Sequence, residues 1–185
     1  MTCTKINQTD RSAWHAPLRC ENETSNISVS FLPHTFPFFG TFGQELNTSH
    51  VFSETRVLDS IPSRGKFIVH LHHFLHLAPF HLSVIEARLK LLREAIKRLL
   101  DRNPHVIILY QSAHSVYSRQ TMNGVFFVEL QRKILKGLGD RMMFVLTWPM
   151  TIAVDNDVVH PANAANFTSL YLGHVCGRLS RSFPV

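Results

Sequence analysis

No apolar run approaches the roughly 20 residues that a membrane-spanning helix needs. The longest, such as Val106–Tyr110, stop far short, so no transmembrane segment is expected in this chain. Glycine (8) and proline (9) are few among 185 residues, which excludes a low-complexity or wholly disordered chain. Cysteine occurs three times, at Cys3, Cys20 and Cys176, with none of the spacings that ligate a metal. The first 20 residues hold no apolar core of the kind a secretory leader needs, so no signal peptide is expected here.

What is present is a 45% hydrophobic composition with 14 phenylalanines, enough for one packed domain. The net charge of +6 draws heavily on one segment, Arg88, Lys90, Arg93, Lys97 and Arg98. At helical spacing such a run is a solvated face, and no aromatic residues interleave with it to stack bases. No nucleic-acid partner is expected.

Five Asn-x-Ser/Thr sequons begin at Asn7, Asn22, Asn26, Asn47 and Asn166. Chance supplies about one, so the excess indicates a secreted or Golgi/ER-lumenal chain carrying glycans. That reading and the missing leader agree only if sequence upstream is absent, so a partial chain is expected. The cysteines allow Cys3 to close a short loop with Cys20 while Cys176 pairs elsewhere. They equally allow three unrelated thiols.

Residues 1–26 show no period and read as an irregular arm. Ile27–Leu32 alternates apolar and hydroxyl side chains before Pro33, as a half-buried edge strand does. The Phe-rich connection that follows is long enough to hold a short helix near 49–60. Residues 66–71 read as a strand covered on both faces. Ser83 and Glu86 read as a capping box for a helix with Ile85, Leu89, Leu92, Ile96 and Leu99 on one face, stopped by Asn103-Pro104. A buried strand at 106–110, a helix at 123–138, a strand at 142–146 and a helix opened by Pro161 complete the order. Strand and helix in alternation predict an α/β fold with a parallel sheet and right-handed crossovers. The domain then spans 27–176, followed by a tail at 177–185. Chemistry in such folds gathers at the carboxyl ends of the strands. That selects His70–His81, Gln111–Ser118 and Thr147–His160.

In the last of these, Asp157 lies three residues before His160. A carboxylate so placed can bond one imidazole nitrogen, fix the tautomer and leave the other nitrogen as a base. Trp148-Pro149-Met150-Thr151-Ile152-Ala153-Val154 followed by Asp157-Val158-Val159-His160-Pro161 resembles the closing segment of the neurexophilin and PC-esterase domain (NXPE) family. His73-Phe74 with Pro79-Phe80, the helix to Arg102, and a terminal helix ending in Cys176 match in kind and order over about residues 27–176. The resemblance implies a three-layer α/β/α, flavodoxin-like (SGNH-hydrolase-like) domain of the secretory pathway. Related domains hydrolyse or transfer O-acyl groups, so a glycan or acyl-ester substrate is implied. It makes Asp157 the orienter, His160 the base, and places His73 near the oxyanion region.

The family's nucleophile is a serine in a Gly-Asp-Ser motif on the first strand. This chain has no such motif and no glycine before Gly40, so that strand reads as missing and no residue is assigned as nucleophile. Asp59-Ser60 is rejected, because the few residues before the next strand cannot make a parallel crossover. Base and orienter alone cannot run acyl transfer, so the chain is expected to be inactive. No cofactor is implied. Two other functions stay open. One is a non-catalytic secreted binding module on the same scaffold. The other is a zinc-dependent hydrolase using the His70–His76 cluster, with His70 and His72 on one strand face and His76, His81 or His114 as the third ligand; no Asp or Glu stands among them before Glu86.

Overall fold

The computed structural model describes residues 2–5, 18–32, 53–74, 77–115, 121–154, 156, 158, 169, 172, 173, 176 and 177. The chain divides into two compact units, Met1–Ser60 and Ile61–Val185.

The first unit corrects the expected arm at 1–26. It holds an antiparallel sheet of β1 (Thr2–Lys5), β2 (Leu18–Asn22) and β3 (Ile27–Phe31), in that order. The turn between β2 and β3 closes with the Asn26 N–H donating to Glu23 O at 3.2 Å, and Asn26 takes the left-handed φ of 49° that asparagine tolerates. β1 and β2 escape a sequence reading because their polar residues mask the two-residue period. The register sets Cys3 opposite Cys20; Cys20 is disulfide-bonded and buried, while Cys176 is free and exposed. β3 is the predicted edge strand, but it is exposed on both faces, with Ile27, Val29 and Phe31 each about half accessible. A short helix, α1 (Glu54–Ser60), follows.

The second unit is the expected α/β fold. β4 (Phe67–His72), β5 (Val106–Gln111) and β6 (Met142–Val145) form a parallel sheet in that order, flanked by α2 (Leu82–Arg102) and α3 (Thr121–Leu135). β5 is central, and its five leading apolar residues are all buried. Ile108 and Tyr110 alternate with Ile107 and Leu109, which join Met143 in a cluster on the other pleat. β4 departs from expectation: its alternate residues Ile68, His70 and His72 are exposed, and among the described residues β5 is its strand neighbour on one side alone. Among the described residues of 1–32, the strands β1–β3 pair with one another in a sheet of their own.

α2 buries the predicted face, Ile85, Leu89, Leu92, Ile96 and Leu99. Its start differs. His81, in extended conformation, is the cap, and its Nδ1 accepts from Ser83 N at 3.3 Å. Ser83 is thus already inside the helix, and Glu86 pairs with Lys90 at 2.7 Å instead of closing a box. A six-residue helix not anticipated from sequence, α4 (Trp148–Ala153), follows β6, with Pro149 in its first turn. Gly124 of α3 makes room for it, because a Cβ there would fall within the Trp148 ring. The described residues at 169, 172, 173, 176 and 177 are helical, within and just past the last predicted helix.

The amino ends of the strands converge on Asn103, which is fully buried. Its Nδ2 donates to Pro62 O (2.8 Å) and Gly65 O (3.2 Å), and its Oδ1 accepts from His105 N (2.8 Å). Arg141, just before β6, donates to the carbonyls of Leu100 and Asn103, both at 2.7 Å. Arg102 adds a bond to Ile61 O. One buried amide and one guanidinium therefore tie together the entrances of all three strands.

Two substitutions test this frame. Asn103→Ala strands two carbonyls and one N–H, so urea unfolding loses about 3 kcal/mol. Gly124→Ala overpacks the Trp148 contact and loses roughly 1–3 kcal/mol. An exposed control, Lys97→Ala, stays within about 0.5 kcal/mol of the parent.

Candidate functional site

The loops leaving the carboxyl ends of β4, β5 and β6 are held by a buried polar network. Gln131, projecting from α3, is fully buried. Its Nε2 donates to His73 O (2.7 Å) and to the Tyr110 hydroxyl (3.1 Å), and its Oε1 accepts from Ala113 N (3.3 Å). One side chain thereby fixes the exits of β4 and β5. The exit of β6 is fixed by Thr147. Its N–H donates to Ser112 Oγ (2.9 Å), and its hydroxyl lies 2.9 Å from Ser112 O and 3.1 Å from Ala113 O. Thr151 of α4 accepts from Ser115 N at 2.8 Å, and Asn156 donates through Nδ2 to Ser115 O at 2.7 Å. Ser112 and Ser115, in the Gln111–Ser118 segment that strand order selects, are buried and engaged within the protein.

An imidazole cluster lies along the same edge. His70 Nε2 donates to Gln111 Oε1 at 3.0 Å, and His72 Nδ1 donates to Gln111 O at 3.3 Å. His72 stacks on His114 at 5.7 Å, and Phe74 meets His114, Phe127 and Trp148 edge-on. Burial lowers the pKa of His70, against the opposing bond to Gln111. His72 meets solvent on its outer surface, yet its pKa is lowered to about 3. Desolvation by the packed surroundings is the largest cause and the His114 charge the next; the Gln111 carbonyl opposes them, and His73 and His70 add smaller repulsions. Both rings are neutral at pH 7.

His73 is buried at the end of β4 with its ring stacked on Tyr110 at 5.9 Å. His70 and His72 share a face as expected but spend a nitrogen each on Gln111. His76 lies outside the described residues. Among the described residues no three His, Cys, Asp or Glu side chains are grouped to hold a metal ion. Asp157 and His160 also lie outside the described residues, between and beyond the described Asn156 and Val158. Ser60 closes the last turn of α1, its hydroxyl donating to Val57 O at 2.7 Å, which is a helix end and not a strand elbow. Of the sequons, Asn22 and Asn26 flank the β2–β3 turn; Asn7, Asn47 and Asn166 lie outside the described residues.

Gln131, Thr147, Thr151 and Asn156 were not singled out by sequence. Gln131 carried a signal, since it sits four residues from both Phe127 and Leu135 on the buried stripe of α3. A polar residue at such a position needs an internal partner. The two threonines and Asn156 carried none, because their bonds cross between loops about 35 to 41 residues apart.

No helix among the described residues is long and apolar enough to cross a membrane. The family model described as "NXPE family member 4-like, C-terminal domain" matches residues 1–176. No solved structure matches the chain.

The imidazole geometry predicts an acid-sensitive fold. The unfolded chain protonates these histidines near 6.5, whereas folding lowers the value, to about 3 for His72. The unfolded state therefore binds more protons between those limits, so the contribution is complete above 6.5 and is lost as pH falls toward 3. The urea midpoint drops between pH 7 and pH 5, and His72→Asn shows a shallower drop. Equal slopes for the two proteins contradict the assignment.

Proposed function

The chain belongs to the NXPE family, as its PC-esterase-like C-terminal domain, and from that membership we propose that it is an esterase- or O-acyltransferase-derived domain that recognises an acyl ester of a glycan and does not turn it over. The observation that carries this reading is the match over residues 1–176, on a chain whose parallel sheet delivers three loops to one carboxyl edge.

In this reading Asp157 orients His160, and His160 is the base that would take a hydroxyl proton during attack on an acyl carbon. His73 borders the oxyanion region, held against Tyr110. Acyl transfer also needs an attacking oxygen, and no Gly-Asp-Ser serine is present to supply it. The described serines near the edge, Ser112 and Ser115, are bonded within the network and are not presented as nucleophiles.

The setting proposed is the lumen of the secretory pathway or the cell exterior. The disulfide at Cys20 supports it, since such bonds persist in oxidising compartments. The paired sequons at an exposed turn support it too.

Purified chain incubated with p-nitrophenyl acetate is expected to hydrolyse it no faster than its His160→Ala variant. An O-acetylated hexose is expected to shift amide resonances in the 112–115 and 147–156 loops. Turnover lost on His160→Ala overturns the inactive assignment, and an unperturbed carboxyl edge overturns the glycan-ester assignment.

A further inference from the structure

The cations that form one run in the sequence do not form one face in the fold. On α2, Glu86, Lys90, Arg93 and Lys97 recur at spacings of four, three and four and stand in one row, whereas Arg88 and Arg98 fall elsewhere around the helix. Arg93 shows what the row faces. Its Nη1 donates to Ile134 O and to Lys136 O, both at 2.7 Å, and so ties the C-terminal end of α3 to the middle of α2. That tie brings Lys133, in the last turn of α3, and Lys136, just beyond it, to the same seam. The bond to Lys90, 2.7 Å long, lowers the Glu86 pKa most, and the Lys133 charge adds to it, so Lys133 reaches Glu86 across the seam. Glu129 pairs with Arg132 along α3, and Glu94 and Asp101 sit round α2 from the row. Among the described residues Glu86 is thus the acid of the seam, set against Lys90, Arg93, Lys97, Lys133 and Lys136. The two helices and Lys136 hold nine Lys and Arg against four Asp and Glu, nearly the whole of the chain's net charge of +6.

Gathered like charges cost a fold stability, and a ligand of opposite charge turns that cost into affinity. The side chains narrow the ligand. Arginine grips a carboxylate or phosphate with two parallel bonds, but the arginine of this seam spends its Nη1 on two carbonyls. The other four cations are exposed lysines, point charges on flexible stems that suit charges spaced unevenly along a chain. No aromatic residue stands between Lys90 and Lys97, or between Lys133 and Lys136, to stack a base. From Lys90 to Lys97 the row runs about 10 Å along the helix, longer than one small anion. We propose that the seam between α2 and α3 is a docking surface for a linear sulfated polysaccharide, bound through Lys90, Lys97, Lys133 and Lys136. The choice of a sulfated glycan among polyanions rests on the lumenal or extracellular setting proposed above, and the surface uses no residue of the carboxyl edge.

The test measures binding of the full chain to a fluorescent heparin oligosaccharide by polarisation at about 0.15 M NaCl. The triple variant Lys97→Gln/Lys133→Gln/Lys136→Gln is expected to bind about tenfold more weakly and to show a flatter dependence of log Kd on log salt, since fewer counterions are released. Its three side chains are exposed, so the thermal midpoint is expected to match the parent. The control Arg64→Gln/Lys66→Gln/Arg88→Gln removes the same charge outside the row and is expected to stay within about threefold of the parent. Equal losses in the two variants overturn the proposal, because net charge alone then accounts for the binding. No binding by the parent overturns it as well. Hyaluronan, which carries carboxylates and no sulfate, is expected to compete about tenfold less well, and equal competition overturns the sulfate assignment. Duplex DNA or phosphatidylserine vesicles that displace heparin at lower charge concentration overturn the glycan assignment. The loop resonances that respond to an O-acetylated hexose are expected to respond alike in parent and triple variant, so loss of heparin binding leaves the acyl-ester reading standing, and an unresponsive carboxyl edge leaves the seam standing.

Discussion

A parallel sheet packed under helices buries the ends of its strands, and the backbone groups there need partners away from water. In this chain Gln131 and Thr147 supply them at the carboxyl edge, joining the exits of β4, β5 and β6 by side-chain bonds. Among the described residues, His70 and His72 close β4 with His73 just beyond it, His114 and the Ser112–Ser115 loop follow β5, and α4 follows β6. A network of neutral amides and hydroxyls suits this task, because it satisfies buried backbone without the desolvation cost of a buried ion.

The fold was largely legible because its signals are short-range. The apolar run of β5, the four-and-three spacing along α2, and Asn103-Pro104 as a stop all act within a few residues, and the elements appear where these patterns place them. β1 and β2 were hidden because their mostly polar residues show no apolar alternation. The helix cap shifted by two residues because an imidazole can take the bond usually given to a hydroxyl. The site was legible only in outline. Strand order points to the carboxyl edge, but the partners of Ser115 and Gln131 are distant in the chain and no spacing rule reaches them. Ser112 and Ser115 illustrate the limit: their position suggests contact with substrate, whereas their bonds make them framework.

The first unit carries different physics. Three short strands with β3 open on both faces cannot draw much stability from apolar burial, since Ile27, Val29 and Phe31 remain about half accessible. A covalent cross-link at Cys20 offsets that shortage by restricting the unfolded chain. The match to one family model runs through this unit and the α/β unit alike.

The two ends of the parallel sheet are fastened with different materials. At the amino end the fasteners are Asn103, Arg102 and Arg141, an amide and two guanidiniums that keep their protonation state across any pH a cell imposes. At the opposite end imidazoles sit among the fasteners. Acidification thus reaches this molecule unevenly: the edge bearing the loops loses stability while the strand entrances stay clamped, so opening begins at the carboxyl edge and not where the fold is anchored.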